Sequence, residues 1–435
     1  MAGEDKFTQD NHILKLTTPL GKDVLLIDSI SGTESISNLF SFHIDALQAN
    51  PPTVIKSSDI LGKAVSVEIV QPDGTFRYIN GMVSRFAQGG HDDRFTHYRM
   101  EVVPHLWLLT QSKQSRIFQQ MSAPDILRKV LDGIDFNLQV QREYQHRNYC
   151  VQYRESDFAF ASRIMEEEGM YYYFEHTASA HRMIIADKPD SHRLCPSKSS
   201  IDFIAKLSGD LETPAVSEWS MEYQLQTGKV ELRDHQFQLP HKKLETEQDS
   251  RFNDMGNQNV EVYEFPGGYA RKFDGIDKGG GDQDSELQKV FQDNKQTVQN
   301  VIDALDAKHK TYRGRSDCSS FTAGHKFKIS NLPTKDDDRE YALTTVRHFY
   351  RQSPPYTSTE GPGSPIQNQF ECIPLGDSKF PPFRPQRTTP KPSIFGSQTA
   401  YVVGPAGEEI YVDKYGRVKV QLHWDRQGQN NDSSA

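Results

Sequence analysis

Glu166, Glu167 and Glu168, with Glu155 and Asp157 nearby, are the residues whose types and spacing most invite a chemical reading. Two carboxylates across a sugar-binding cleft, one with a raised pKa and one ordinary, would hydrolyse a glycosidic bond. Consecutive acids at a helix end point in different directions, however, so a solvated face is expected. His91 and His97 with Asp92 and Asp93 are metal-ligand types, but Gly89-Gly90-His91-Asp92-Asp93-Arg94 reads as a polar hairpin tip, without a second cluster of ligand spacing. Gly279-Gly280-Gly281 lacks the lysine and helix start of a phosphate cradle and reads as a loop. The aromatic run Tyr171–Phe174 could stack a sugar, although alternation along a strand buries half of its rings in a core instead. There is no Walker loop, Gly-x-Ser-x-Gly elbow, His-Glu-x-x-His or dinucleotide fingerprint. No catalytic, cofactor-binding or metal-ligating residue is assigned, and the protein is expected not to be an enzyme.

The elements around these residues are mainly β with α+β insertions. From Asp23 to Pro104 short apolar runs and alternation (Val65, Val67, Ile69 before the Pro72-Asp73-Gly74 turn) predict an antiparallel barrel or sandwich. Ser122 is positioned to cap a helix carrying Ile126, Leu127, Val130 and Leu131, ended by Gly133. Ser156 opens another through Phe158, Ala161, Ile164 and Met165, stopped at Gly169. Between residues 285 and 309, Leu287, Phe291, Val298, Val301 and Leu305 follow a 3-4 spacing with Asn294 in one polar slot, which predicts a buried helix, either in a coiled coil or lying on a sheet. Tyr78, Val83 and Phe86 recur as Tyr341, Val346 and Phe349 at a constant offset of 263. Each trio follows a Gly-initiated strand and a polar turn (Gly62 to Val70; Gly324 to Ile329, then Pro333 to Arg339), so two related barrels in tandem are expected. Proline density after Arg351 marks a stiff, extended connection.

At 435 residues the chain is long enough for two to four cores. A formal charge of −9 gives no reason to expect nucleic acid as a partner. Cys150, Cys195, Cys318 and Cys372 form no Cys-x-x-Cys pair, which fits a reducing compartment. The amino terminus, Met1 to Phe7, lacks a basic segment followed by an apolar core, so synthesis in the cytoplasm without a signal peptide is expected.

The segment Tyr401–Arg426, in which Val418, Val420 and Leu422 alternate with Lys419, Gln421 and His423 as in a strand with one buried face, closely resembles the opening of the oligonucleotide/oligosaccharide-binding (OB) barrel of VgrG proteins, the spikes of bacterial type VI secretion. Arg154–Phe174, Tyr263–Tyr269, Ala323–Ile329, Phe370–Pro374 and Pro382–Pro385 resemble the same family, in order along the chain. The family is similar to the hub and spike of contractile phage tails. The resemblance implies a first tube-like barrel (1–110), an inserted α+β region (111–210), a second tube-like barrel with the long helix (211–380), a proline-rich linker (381–398) and an incomplete OB-fold domain (399–435). It implies a homotrimer whose six tube-like units match the sixfold Hcp tube, with baseplate components and spike-tip or effector proteins as further partners and no cofactor. Export would be by type VI secretion, and the target-cell membrane would be met only through the spike. Gly428–Ala435 stands where the family has its remaining OB strands and spike, so piercing and effector activity are not carried over. A phage-particle hub and a carbohydrate-active enzyme are the rival readings.

Overall fold

The computed structural model describes residues 7–196, 200–205, 213–277, 279–332, 334, 339–357, 364–375, 379–408, 410–431 and 434. The amino-terminal Met1–Lys6, most of the expected turn between Pro333 and Arg339 and the Gly361-Pro362-Gly363 stretch lie outside the described residues. Six strands open the chain: β1 (Leu14–Thr17), β2 (Leu26–Ser35), β3 (Ser41–Ala49), β4 (Ala64–Val70, after the single turn α1, Ser57–Ile60), β5 (Phe76–His91) and β6 (Phe95–Val103). They lie in the antiparallel order β1-β4-β5-β6-β3-β2, and alternate residues such as Val65, Val67, Ile69, Phe42, Ile44, Met100 and Val102 fill the interior. The β1–β2 seam carries no backbone ladder. Two buried glutamines bridge it instead: Gln9 exchanges hydrogen bonds with both backbone groups of Leu16 and accepts one from Ile27 N, while Gln352 does the same for Leu14 and donates to Ile27 O.

The middle region contains β7 (Gln114–Met121), α2 (Ala123–Val130), β8 (Phe136–Gln139), β9 (Arg147–Glu155), α3 (Asp157–Glu168), β10 (Tyr171–His176) and β11 (His181–Ala186). The Ser122 side chain accepts from Asp125 N and that of Ser156 from Ala159 N, so both expected caps form. Gly169 ends α3 in the left-handed region, at φ 70°, whereas α2 stops at Val130, before Gly133.

The second barrel uses β12 (Ser200–Phe203) and β13 (Ala215–Tyr223). The chain then leaves it for a lobe of β14 (Lys229–Asp234), β15 (Leu244–Asp249), β16 (Glu261–Glu264), α4 (Asp284–Gln288) and α5 (Val290–Asp306). It returns as β17 (Lys310–Ser316), β18 (Lys326–Ser330), β19 (Glu340–Arg351) and β20 (Ile366–Pro374). The order β19-β18-β12-β13-β17-β20 closes on itself because β20 also pairs with β19. Tyr312, Phe321, Phe327, Tyr341, Val346 and Phe370 fill the ring. Two outcomes differ from the sequence expectation. Residues 200–203, placed in the inserted region, are a barrel strand, and the helix expected over 285–309 breaks at Lys289 into α4 and α5. Its placement is one of the two expected: Val298 and Ile302 pack on Val230 and Leu232, so the helix lies on the β14–β16 sheet and not in a coiled coil.

The barrels are related, but not by the offset read from the sequence. Gly62 N donates to Val83 O at 2.9 Å and Gly324 N to Leu343 O at 2.8 Å, both glycines having positive φ. One strand later, both copies carry a bulge, at Val83/Arg85 and Leu343/Thr345, where Ser84 Oγ donates to Glu101 O and Thr344 Oγ1 to Glu371 O. Val83 therefore corresponds to Leu343, and Val346 corresponds to Phe86. A further bulge pair, Ile27/Ser29 and Val216/Glu218, equates β2 with β13. The barrels join where β2 pairs with β19, from Ser35 opposite Thr345 to Ser29 opposite Arg351, which makes one twelve-stranded sheet.

Beyond the linker, β21 (Ala400–Val403) and β22 (Lys419–Leu422) form a two-stranded antiparallel pair. The expected buried face of Val418, Val420 and Leu422 is not buried, and the one buried side chain of β22 is Gln421. Two strands have no opposing layer to cover an apolar face.

Candidate functional site

The acidic residues are drawn together, but not as a solvated face. Glu155, Asp157, Glu167 and Glu168 are all buried, and only Glu166 of the five is partly open. The reason is a matched set of cations. Arg163, one turn before Glu167 on α3, binds both oxygens of Glu155 at 2.9 and 2.8 Å. Arg147 on β9 donates to Glu167 at 2.7 Å and also to Glu168. Lys272, on the segment leading to α4, bridges Glu168 at 3.1 Å and Asp293 of α5 at 2.7 Å. Burial pushes the Glu168 carboxyl up, but Lys272, Arg147 and Arg142 outweigh it and hold it at about 2. Burial is likewise overcome at Glu167 by Arg147, Lys391 and Arg163, which keep it below the carboxylate range. Neither acid can be the raised member of a glycosidase pair. The sequence signal that was passed over is Arg163 four residues before Glu167, a spacing that faces one helix turn.

Glu166 faces the other way and receives the proline-rich linker. Its Oε2 accepts from the backbone N–H groups of Thr388 and Thr389 at 3.0 and 2.9 Å, and Thr389 Oγ1 donates to Oε1 at 2.7 Å. Upstream, Arg384 donates to the carbonyls of Gly169 and Asp187, and the Phe383 ring meets Tyr171 edge-on. Lys308 of the lobe reaches Gln386 at 2.7 Å. The linker forms no helix or strand, in keeping with its proline content, but it is seated on the body from Phe383 to Lys391, whereas residues 393–398 are exposed.

The remaining candidates have structural places. His97 Nε2 lies 2.9 Å from Asp92 Oδ2 in the exposed β5–β6 hairpin, and that bond holds the Asp92 carboxyl at about 2. Among the described residues, no three His, Cys, Asp or Glu side chains gather with metal-site geometry. Asp277 N donates to Gly281 O and Gly281 N donates to the Asp277 carboxylate in a turn, and Lys278 lies outside the described residues. Tyr171–Phe174 are buried on both faces, not half: Tyr172 and Phe174 join the first core, while Tyr171 and Tyr173 pack with Ile36, Ile184 and Phe383.

Sequence reasoning missed the polar contacts at the barrel junction. Arg77 of β5 donates to Glu34 of β2 at 2.7 Å and to the carbonyls of Ser319 and Phe321. His348 of β19 stands 2.8 Å from the same Glu34 oxygen and 2.6 Å from the Tyr350 hydroxyl. Burial raises the Glu34 carboxyl, yet Arg77 and His348 hold it at about 2, and burial beside Arg77 lowers His348 to about 4. No spacing in the sequence links residues 34, 77 and 348. The β2–β19 pairing brings Glu34 and His348 together, and closure of the first barrel adds Arg77 from β5.

Residues 33–354 match the phage tail baseplate hub (GPD) family. The type VI secretion system spike protein VgrG1c of Pseudomonas aeruginosa is 33% identical over 99% of this chain and 56% of its own length. VgrG1a of the same organism is 34% identical over 98% of this chain and 63% of its own length. The chain thus spans just over half the length of these curated relatives. The E. coli c3393 protein, described as a component of the type VI secretion system with structural similarity to the T4 tail proteins gp27 and gp5, superposes with a TM-score of 0.63 at 17% identity, over 94% of this chain and 88% of that one. A likeness at that identity speaks for the fold, and it is the fold of tandem barrels described above. By the extent of the family match, this chain belongs to the phage tail baseplate hub (GPD) family, with VgrG spike proteins of type VI secretion among its relatives.

Proposed function

We propose that the protein is a structural hub of type VI secretion: a homotrimeric adaptor that seats on the Hcp tube and carries the puncturing spike, without catalytic activity. The observation that supports it best is the pair of related barrels fused edge to edge through β2 and β19. Three chains, each with two such units, make a threefold assembly with six similar contacts for a sixfold tube. Domain boundaries near 110, 380 and 398 accompany this reading, with the second barrel starting by Ser200, as do baseplate and spike-tip or effector partners and export through the secretion machine. The charged cluster at α3 then serves to anchor the linker to the spike-bearing part, and the held-down carboxyls favour that role over acid–base chemistry.

The experiment is a mass measurement by light scattering at micromolar concentration, followed by pull-down with Hcp. Three times the 49.6 kDa of one chain is expected. A persistent monomer would sink the adaptor. The family's description favours a second reading, the central hub of a phage or phage-derived contractile particle. Capture of a phage tube protein in preference to Hcp would select it.

A further inference from the structure

Within the chain, β2 of the first barrel and the carboxy-terminal half of β19 of the second cover each other's edges, and no residue from Ser29 to Ser35 is exposed. Among the described residues, the corresponding edges at the other ends of the two barrels are bare. β13, the counterpart of β2, pairs with β12 only at Ala215 and Val216 and with β17 on its other side. Among the described residues no strand covers its second edge from Ser217 onward, and Glu218, Ser220, Met221, Glu222 and Tyr223 are exposed. β5, the counterpart of β19, keeps β4 beside it only to Met82, with Val83 bonded to Gly62 and Lys63. Past that point, among the described residues, only β6 accompanies it, and Arg85 and Ala87–His91 are exposed. Two long bare edges of this kind are a template for strand addition.

We infer that β13 of one chain pairs antiparallel with β5 of a second copy, repeating the β2–β19 junction between chains. The inference rests on the assembly reading above and deepens it by naming the surface and the register. Both copies of each strand are aligned by their bulges, so the register transfers residue by residue. Thr345 opposite Ser35 becomes Arg85 opposite Gln224. Phe86, Ala87 and Gln88 then face Tyr223, Glu222 and Met221. Beyond Gln88 the second bulge of β5, which β19 lacks, ends the strict equivalence. Chemistry agrees with the placement. Phe86 meets Tyr223 as a cross-strand aromatic pair, and Arg85 lies diagonal to Glu222. Because the two edges are different surfaces of one chain, the contact is head-to-tail and closes into a ring when its rotation divides a full turn.

Cysteine cross-linking of the full chain tests it, since the four native cysteines are buried. In the chain itself Ser35 Oγ and Thr345 Oγ1 touch at 3.0 Å, so S35C with T345C is the control and should close within one chain. R85C with Q224C should instead give covalent dimers and trimers under mild oxidation. R85C with S220C, offset by about 13 Å at 3.3 Å per residue, should not. A trimer by light scattering without cross-linking of R85C/Q224C would overturn the edge pairing while leaving the adaptor reading intact, and so would equal cross-linking of the offset pair. A monomer with no cross-links would overturn both.

Discussion

Gln9 and Gln352 hold the two backbone polar groups of a single residue: Ile27 N donates to Gln9 Oε1 and Ile27 O accepts from Gln352 Nε2, each at 3.2 Å. Each glutamine also takes both backbone groups of a β1 residue, Leu16 or Leu14. Side-chain amides thereby replace one rung each of the ladder that would close the first barrel, which is why these polar residues are buried.

Q352A should leave Leu14 N, Leu14 O and Ile27 O unpaired inside the protein. At about 1–3 kcal/mol for a stranded buried group, a loss of about 3 kcal/mol in all is expected, concentrated at the seam. Hydrogen exchange reads it directly: Leu14 and its neighbours should lose protection while the second barrel keeps its own. Unchanged exchange at Leu14 would show that the seam closes by other means.

E34A should destabilise the barrel junction by about 3–5 kcal/mol, because it strands the buried Arg77 guanidinium beside His348. Thermal unfolding is the measurement. A loss below about 1 kcal/mol would mean that the ion pair is replaced by water.

Acid should weaken the fold in two stages. His176, His192, His325 and His348 are each lowered by burial from 6.5 to about 4, so between those values the unfolded chain takes up protons that the folded chain refuses, and stability falls as pH falls. Glu34, depressed from 4.5 to about 2 despite its burial, extends the loss over that lower window. Denaturant midpoints at pH 7, 5.5 and 4.5 should decline in order. A flat series would refute the buried neutral histidines.

E166A should release the linker without disturbing the core of α3. Trypsin should then cut after Arg387 severalfold faster, with little change in melting temperature, whereas E168Q should lower the melting temperature by weakening its bonds to Arg147 and Lys272. Equal cleavage of E166A and the parent chain would remove Glu166 from the anchoring role.

Local signals were legible in the sequence and distant ones were not. Ser122, Ser156, Gly169, Gly62 and Gly324 act through neighbours a few residues away, and each occupies the place its chemistry predicts. The repeat was legible as a strand-turn-strand frame, but matching Val83 to Val346 ignored how the registers run, and hydrogen bonds assign Leu343 instead. Glu167 and Glu168 read as solvated because Lys272 and Lys391 reach them only through the tertiary fold. Gln9 and Gln352 are indistinguishable from surface glutamines until β1 and β2 are set side by side.

The seating of the linker has a mechanical consequence. Arg384, Gln386, Thr388, Thr389 and Lys391 are fastened in succession along one extended run, to Gly169, Lys308, Glu166 and Glu167. A pull along the run strains these fastenings simultaneously, in shear, whereas a pull perpendicular to it unzips them singly. Force aligned with the strap is therefore resisted by their sum, and sideways force by the weakest of them.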